Sequence, residues 1–381
     1  MKVYLEILFK FFGLGCISFG GPAAHIGYFQ QTFVEKYKWL PEEQYARLIA
    51  LSQFLPGPGS SQLCFAIGYV RGGLAGAICS FLGFTFPSFL LLYLVAIFNK
   101  TFMQQPWFEG MIHGLKILAV VVVADACLKM SHKFCHGVFE YTLAAGTAIG
   151  ILLMPGIWVQ MAFLVLAAVV GMTRNTETKD EVVDQSQKFK LFPMILFLAL
   201  FLLTPIFSNN TFAKIFTEFY STGSMVFGGG HVVLPILQQI VGDQMTSDQF
   251  LTGYASAQAV PGPMFTLASY LGAVLTPEQP FLGALTATLA IFVPGFLLLL
   301  SLQGAWQKLA SKPAIAGAAA AINAAVVGLL VAALYDPVFE SAVKNTVDMA
   351  LVAAGFYFLR TLKVQIAYVV VGYALVGSIL A

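Results

Sequence analysis

Apolar runs dominate the chain, and they come in two kinds. Four are long enough to cross a bilayer unbroken, since about 20 apolar helical residues span it: residues 73–98, 107–129, 281–303 and 313–335. The others are interrupted or short. An opening run over 3–20 ends in Gly-Gly-Pro, and a shorter piece continues to about Phe33. Runs at 46–55 and 60–70 flank Pro56-Gly57-Pro58. Each is too short to span, so together they make one broken crossing or a re-entrant hairpin. Runs at 139–154 and 157–172 flank Pro155-Gly156, and Pro87 and Pro294 predict kinks inside two of the long runs. Residues 191–207 form an apolar segment without a counterpart. The pattern then returns at 212–229, around a second Pro-Gly-Pro, and in a final pair at 347–359 and 364–380. Six crossings per half and one extra helix predict about thirteen.

The breakers themselves repeat. Leu55-Pro56-Gly57-Pro58-Gly59-Ser60-Ser61 returns as Val260-Pro261-Gly262-Pro263, and Phe19-Gly20-Gly21-Pro22 as Phe227-Gly228-Gly229-Gly230. Gly20 to Pro56 is 36 positions, and Gly228 to Pro261 is 33. The chain therefore divides into a first repeat over 1–173, a hydrophilic linker over 174–190, an extra helix over 191–209 and a second repeat over 210–381. An unpaired helix between two even-numbered repeats inverts the second. The loops agree in part: Lys36, Lys38 and Arg47 follow the first Gly-Gly element, whereas 241–249 has Asp243, Asp248 and no basic residue. Basic loops prefer the cytoplasm. Proline has no N–H and clashes with the preceding turn, so no helix runs through Pro-Gly-Pro. In lipid the freed backbone groups survive only where protein or a cavity satisfies them. A helix restarting after the break points free N–H groups into that cavity, where they attract anions. Paired interrupted segments in two half-chains point to a transporter binding site.

Composition fits this picture: 59% hydrophobic residues, 10% charged and a mean hydropathy of +0.82, against about 25% charged in soluble proteins. The fold class expected is an all-α polytopic membrane protein of two inverted repeats with broken helices. A net charge of +2 gives no reason to expect nucleic acid. The five cysteines all lie in the first half without metal-ligand spacing, which predicts buried thiols. The first twelve residues carry Glu6 and Lys10 and no cleavage site follows, so they read as a retained helix.

Candidate chemistry is sparse. Aligning Pro87 with Pro294 and Pro106 with Pro313 gives one offset of 207, which sets Lys116 opposite Asn323 inside apolar helices. A lysine at that depth costs at least about 2.5–3.5 kcal/mol, so it needs a partner or a function. It either faces an anion path or pairs with a carboxylate such as Asp125. Asp125 and Lys129, like Glu6 and Lys10, have the spacing of local ion pairs. His25 and His231 follow the Gly-Gly elements, as anion or proton ligands or as polar helix ends. Gln53 and Gln258 stand three residues before each Pro-Gly-Pro, and Ser60, Ser61 and Gln62 follow the first. The second copy has Met264-Phe265-Thr266 there, so the two copies are not equivalent. Arg71 reads as an interface anchor. Candidate substrate-binding residues are Lys116, Asn323, His25, His231, Gln53, Gln258, Ser60 and Ser61 together with Gly20, Gly21, Pro22, Pro56, Gly57, Pro58, Gly59, Gly228, Gly229, Gly230, Pro261, Gly262 and Pro263.

The set of both Gly-Gly elements, each followed by a histidine, and both Pro-Gly-Pro elements resembles the chromate ion transporter family, in its long-chain, two-domain form. The resemblance covers nearly the whole chain, with Gly230 in place of Pro22 as a departure. It implies an inner-membrane carrier that exports chromate and confers chromate resistance, with sulfate as a structural analogue and halves of opposite orientation. Expected partners are chromate and the lipid bilayer, with no nucleic acid, metal or cofactor; a homo-oligomer is compatible. Sulfate or other small-anion carriage, or an anion channel, are the alternatives. No His-Glu-x-x-His, Asp-rich diphosphate motif, Gly-x-Ser-x-Gly or P-loop occurs, which argues against an enzyme or a primary pump.

Overall fold

The computed structural model describes residues 2–19, 21–102, 105–174, 189–207, 210–227, 233–241, 244–305 and 312–380. Among them there are helices and no strand. The first half contains α1 (Lys2–Ile17), α2 (Gly21–Phe29, running on to Lys36 as a π-helical turn), α3 (Glu42–Phe54), α4 (Gly59–Phe102), α5 (Pro106–Phe134), α6 (Val138–Leu153) and α7 (Ile157–Met172). Next comes α8 (Leu191–Leu203), which has no buried side chain. The second half contains α9 (Thr211–Met225), α10 (Val233–Val241), α11 (Ser247–Ala259), α12 (Leu267–Leu275), α13 (Pro280–Leu302), α14 (Pro313–Ala333), α15 (Thr346–Phe356) and α16 (Ile366–Leu380).

Local chemistry explains where the helices start. Pro106, Pro280 and Pro313 open α5, α13 and α14, where a missing N–H costs nothing. Asn210 caps α9, and capping boxes open α11 and α15. Helix α4 is sharply bent at Gly72 and Gly73, the latter with φ of 61°; the predicted start of a span at 73 is this bend.

The broken segments are hairpins. Phe11 of α1 stacks on Phe33, and the Lys10 ammonium bonds the Tyr37 hydroxyl, so the chain returns alongside α1. Glu218 and Gln244 make the equivalent contact between the arms of α9 and α10. Gly253 lies against Tyr270 across the α11–α12 hairpin. Four helices among the described residues are long and apolar enough to span, with shorter apolar helices beside them.

The halves are related by inversion. Phe81 of α4 meets Phe292 and Phe296 of α13, while Phe89 and Tyr93 meet Phe281. Residue numbers rise on one helix as they fall on the other, so these equivalent helices run antiparallel. They are also interlocked. Helix α7 packs its Gly171 against Gly317 of α14, and α16 packs its Gly377 against Gly110 of α5. Added Cβ atoms there would stand 2.4 and 2.1 Å from the facing carbonyl oxygens, a closeness only glycine permits. Each half thus closes on the other.

Candidate functional site

The tips of the hairpins meet in the interior, across the halves. The Gly57 N–H donates to Val226 O at 2.6 Å, and the Gly262 N–H donates to Ser18 O at 2.9 Å. Each Pro-Gly-Pro turn is therefore held by the helix end before the other half's Gly-Gly element. Gly57 and Gly262 take φ values of 113° and 105°, which disfavour any side chain.

Beside these tips lies a cavity of about 520 Å³. Gly21, Pro22, Gln53, Gly57 and Gly59 border it from the first half, and Gln258 and Gly262 from the second. Helix N-termini at α2, α4, α16 and the turn before α12 border it, so four sets of free N–H groups carry partial positive charge there. Helix α5 adds Asp125, Lys129 and Lys133 at its C-terminal end. The Lys133 ammonium donates to Gln53 Oε1 at 3.4 Å. Lys129 and Asp125 are 2.5 Å apart, as their spacing suggested.

Other candidates stand elsewhere. Pro56, Pro58, Pro261 and Pro263 shape the turns without lining the cavity; Gln62 fastens the first, its amide donating to Pro56 O and, across the halves, to Gly295 O. Ser60 and Ser61 are buried on the far side of the α4 start. His25 is fully buried off the cavity, with Nε2 3.1 Å from the same Ser18 carbonyl that Gly262 uses. Gly20, Gly228, Gly229, Gly230 and His231 lie outside the described residues.

Lys116 is also off the cavity, as is Asn323. The lysine is 6% exposed and its ammonium lies 2.6 Å from Asp248 Oδ1 at the start of α11. Asp125, the carboxylate expected for a structural pair, is more than two helical turns further along α5. Glu6 and Lys10 do not pair either: Glu6 meets Arg71 at 3.8 Å, and Lys10 reaches Tyr37. Arg71 lies over Trp39, at the end of the helical body where Lys10 and Tyr37 meet. Cys64, Cys127 and Cys135 are buried, but Cys16 is exposed.

Lys133 is the functional candidate that sequence reasoning missed. Asp125, Lys129 and Lys133 recur every four residues, one stripe of a helix; that stripe was the available signal.

The family model for chromate transporters matches residues 5–172 and 213–378, one copy on each half. The chain belongs to the chromate transporter family. Its members are transport proteins rather than enzymes, and it is an integral membrane ion transporter. It is 26% identical to the chromate transport protein of Pseudomonas aeruginosa, covering 97% of this chain and 90% of that protein. It is 24% identical to the probable chromate transport protein of Synechococcus elongatus, covering 85% and 82%. The uncharacterized transporter YwrA of Bacillus subtilis is 25% identical over 44% of this chain and 93% of its own length. No solved structure matches the chain.

Proposed function

We propose that this family member is a secondary carrier of a tetrahedral oxyanion dianion, chromate first and sulfate as its analogue, and that it exports chromate across the inner membrane. The observation that carries this is the meeting of both Pro-Gly-Pro turns at one cavity that also holds two lysines. Each helix N-terminus presents about half a positive charge. Four of them with Lys129 and Lys133, less Asp125, give an excess of positive charge suited to a dianion. The cavity is roomier than one oxyanion, which leaves space for its hydration shell at the mouth.

Charge at the two ends supports a direction. Lys10, Lys36, Arg71, Arg174 and Lys190 belong to one end, tied together by contacts such as Lys190 with Tyr69 and Arg71 with Glu6. The opposite end, around Asp248 and Asp348, has Lys344 and fewer basic residues among the described residues. Basic segments stay in the cytoplasm, and the cavity mouth, at the C-terminal end of α5, is on the basic end. The substrate then enters from the cytoplasm. Inverted repeats supply the second arrangement, in which the hairpin tips open toward the other side.

Flux in proteoliposomes tests the proposal. Saturable chromate transport, driven by an imposed gradient and competed by sulfate, is expected. Non-saturating flux that also carries chloride would make the protein a channel. Absence of chromate and sulfate flux in folded protein would overturn the assignment.

A further inference from the structure

Asp125 has no obvious place in an anion site. Its side chain is 15% exposed, it borders the cavity, and its negative charge opposes the proposed substrate. Its contacts give it one. One carboxylate oxygen lies 2.5 Å from the Lys129 ammonium and the other 3.9 Å from the Arg360 guanidinium, which comes from the second half. Lys129 itself is 75% exposed, so its ammonium is free to swing on its stem. Among the described residues, the remaining ionisable side chains bordering the cavity are Lys133, from one turn further along α5, and Tyr28, from α2; the facing wall of α11 offers the neutral amide of Gln258.

We propose that Asp125 is a resident counter-anion: in the empty transporter it occupies the cation Lys129, with Arg360 behind it off the cavity wall, and the arriving oxyanion takes Lys129 from it. Lys129 and Lys133 in the cavity and Arg360 behind it, with one carboxylate, leave two positive charges, enough to neutralise a dianion. With three bare cations the site would hold its substrate too firmly to turn over. The returning carboxylate competes for Lys129 and helps to eject the anion. This role rests on the cavity being the oxyanion site.

The test uses Asp125→Asn and three tetrahedral anions of similar shape: chromate and sulfate, with two charges, and perrhenate, with one. Coulomb energy scales with ligand charge, so removing one repelling carboxylate acts twice as strongly, in logarithmic terms, on a dianion. Binding of chromate and sulfate is expected to tighten about tenfold and that of perrhenate about threefold. Chromate exchange in proteoliposomes is expected to show a lower KM together with a lower maximal rate. The double variant Asp125→Asn with Lys129→Gln restores the two net charges and should return affinities to within about threefold of the starting protein.

Unchanged or weaker dianion binding in folded Asp125→Asn protein, with a lower melting temperature, would reduce Asp125 to a structural tie and overturn the proposal. Equal tightening for perrhenate and sulfate would overturn it too, since it would exclude a charge effect. If Asp125→Asn does not fold, Asp125→Ser and the double variant carry the same comparison. If the unaltered protein binds none of the three anions, the site assignment itself fails, a separate outcome from failure of the counter-anion role.

Discussion

The two halves share a framework and differ in charge. Gly15 lies against the Phe84 carbonyl where Gly223 lies against that of Ile291, and Gly171 meets Gly317 where Gly377 meets Gly110. The Gly57 and Gly262 turns are held by equivalent carbonyls. Side chains at equivalent positions go the other way. Lys10 is replaced by Glu218, Lys116 by Asn323, Lys129 by Asp336 and Lys133 by Glu340. Backbone symmetry supplies two equivalent ways to pack one set of helices, which alternating access requires. Charge asymmetry then distinguishes the two sides. Under the proposed function an anion would load among lysines, and the inverted copy of that surface carries carboxylates, which would favour its departure.

This comparison can be broken at several points. The largest effect concerns topology. With the native cysteines removed, single cysteines at Lys38 and at Thr246 should label from opposite faces of the membrane. Labelling of both from one face would rule out the inverted arrangement in the bilayer. Next come the turn glycines. A Cβ on Gly57 would lie 3.2 Å from Gly295 Cα, and one on Gly262 would lie 2.9 Å from the Ser88 hydroxyl. Replacing either by leucine should abolish chromate flux while leaving the protein in the membrane. The losses should be alike in both halves because the framework is alike, and normal flux in both variants would reduce the turns to mere kinks.

The remaining tests probe the asymmetry. Asp248→Ala removes the partner of the buried Lys116 ammonium; because Asp248 is itself 74% exposed, water replaces it in part and stability should fall by about 1 kcal/mol. Lys116→Met removes the charge along with the need for its partner, so its melting temperature should fall less, with chromate affinity unchanged. A tenfold loss of affinity in Lys116→Met would put that lysine back on the anion path. Lys133→Gln should weaken chromate binding by about threefold to tenfold, a charge-assisted contact discounted for exposure; its counterpart Glu340→Gln should leave binding on the lysine side unchanged. Titrations on both variants check this. Asn323→Ala is the smallest change, within about 0.5 kcal/mol in stability.

Much of this was legible in the chain. Proline and glycine act locally, so the breaks, the repeat and the offset of 207 could be read without coordinates, and the swapped tip contacts then put both Pro-Gly-Pro elements beside one cavity. The pairing of charges was not legible. Spacing of four residues predicted Glu6 with Lys10, yet Arg71, brought in by the α4 bend, took the glutamate. Lys116 found Asp248 across 132 positions, a partner that only the fold selects. The same local habit of thought assigned Asp125 and Lys129 to each other correctly and hid the cavity they border.

The interlock between halves also sets a timetable for synthesis. Gly110 and Gly171 leave the ribosome long before the helices they receive. Gly377 follows Gly110 by 267 residues, roughly 15–50 s at ordinary elongation rates. Through that interval the glycine groove on α5 has only lipid, or a neighbouring nascent chain, to fill it. Slow elongation late in the message would lengthen this exposure, and a chaperone that shields the groove would have its effect there rather than on the finished protein.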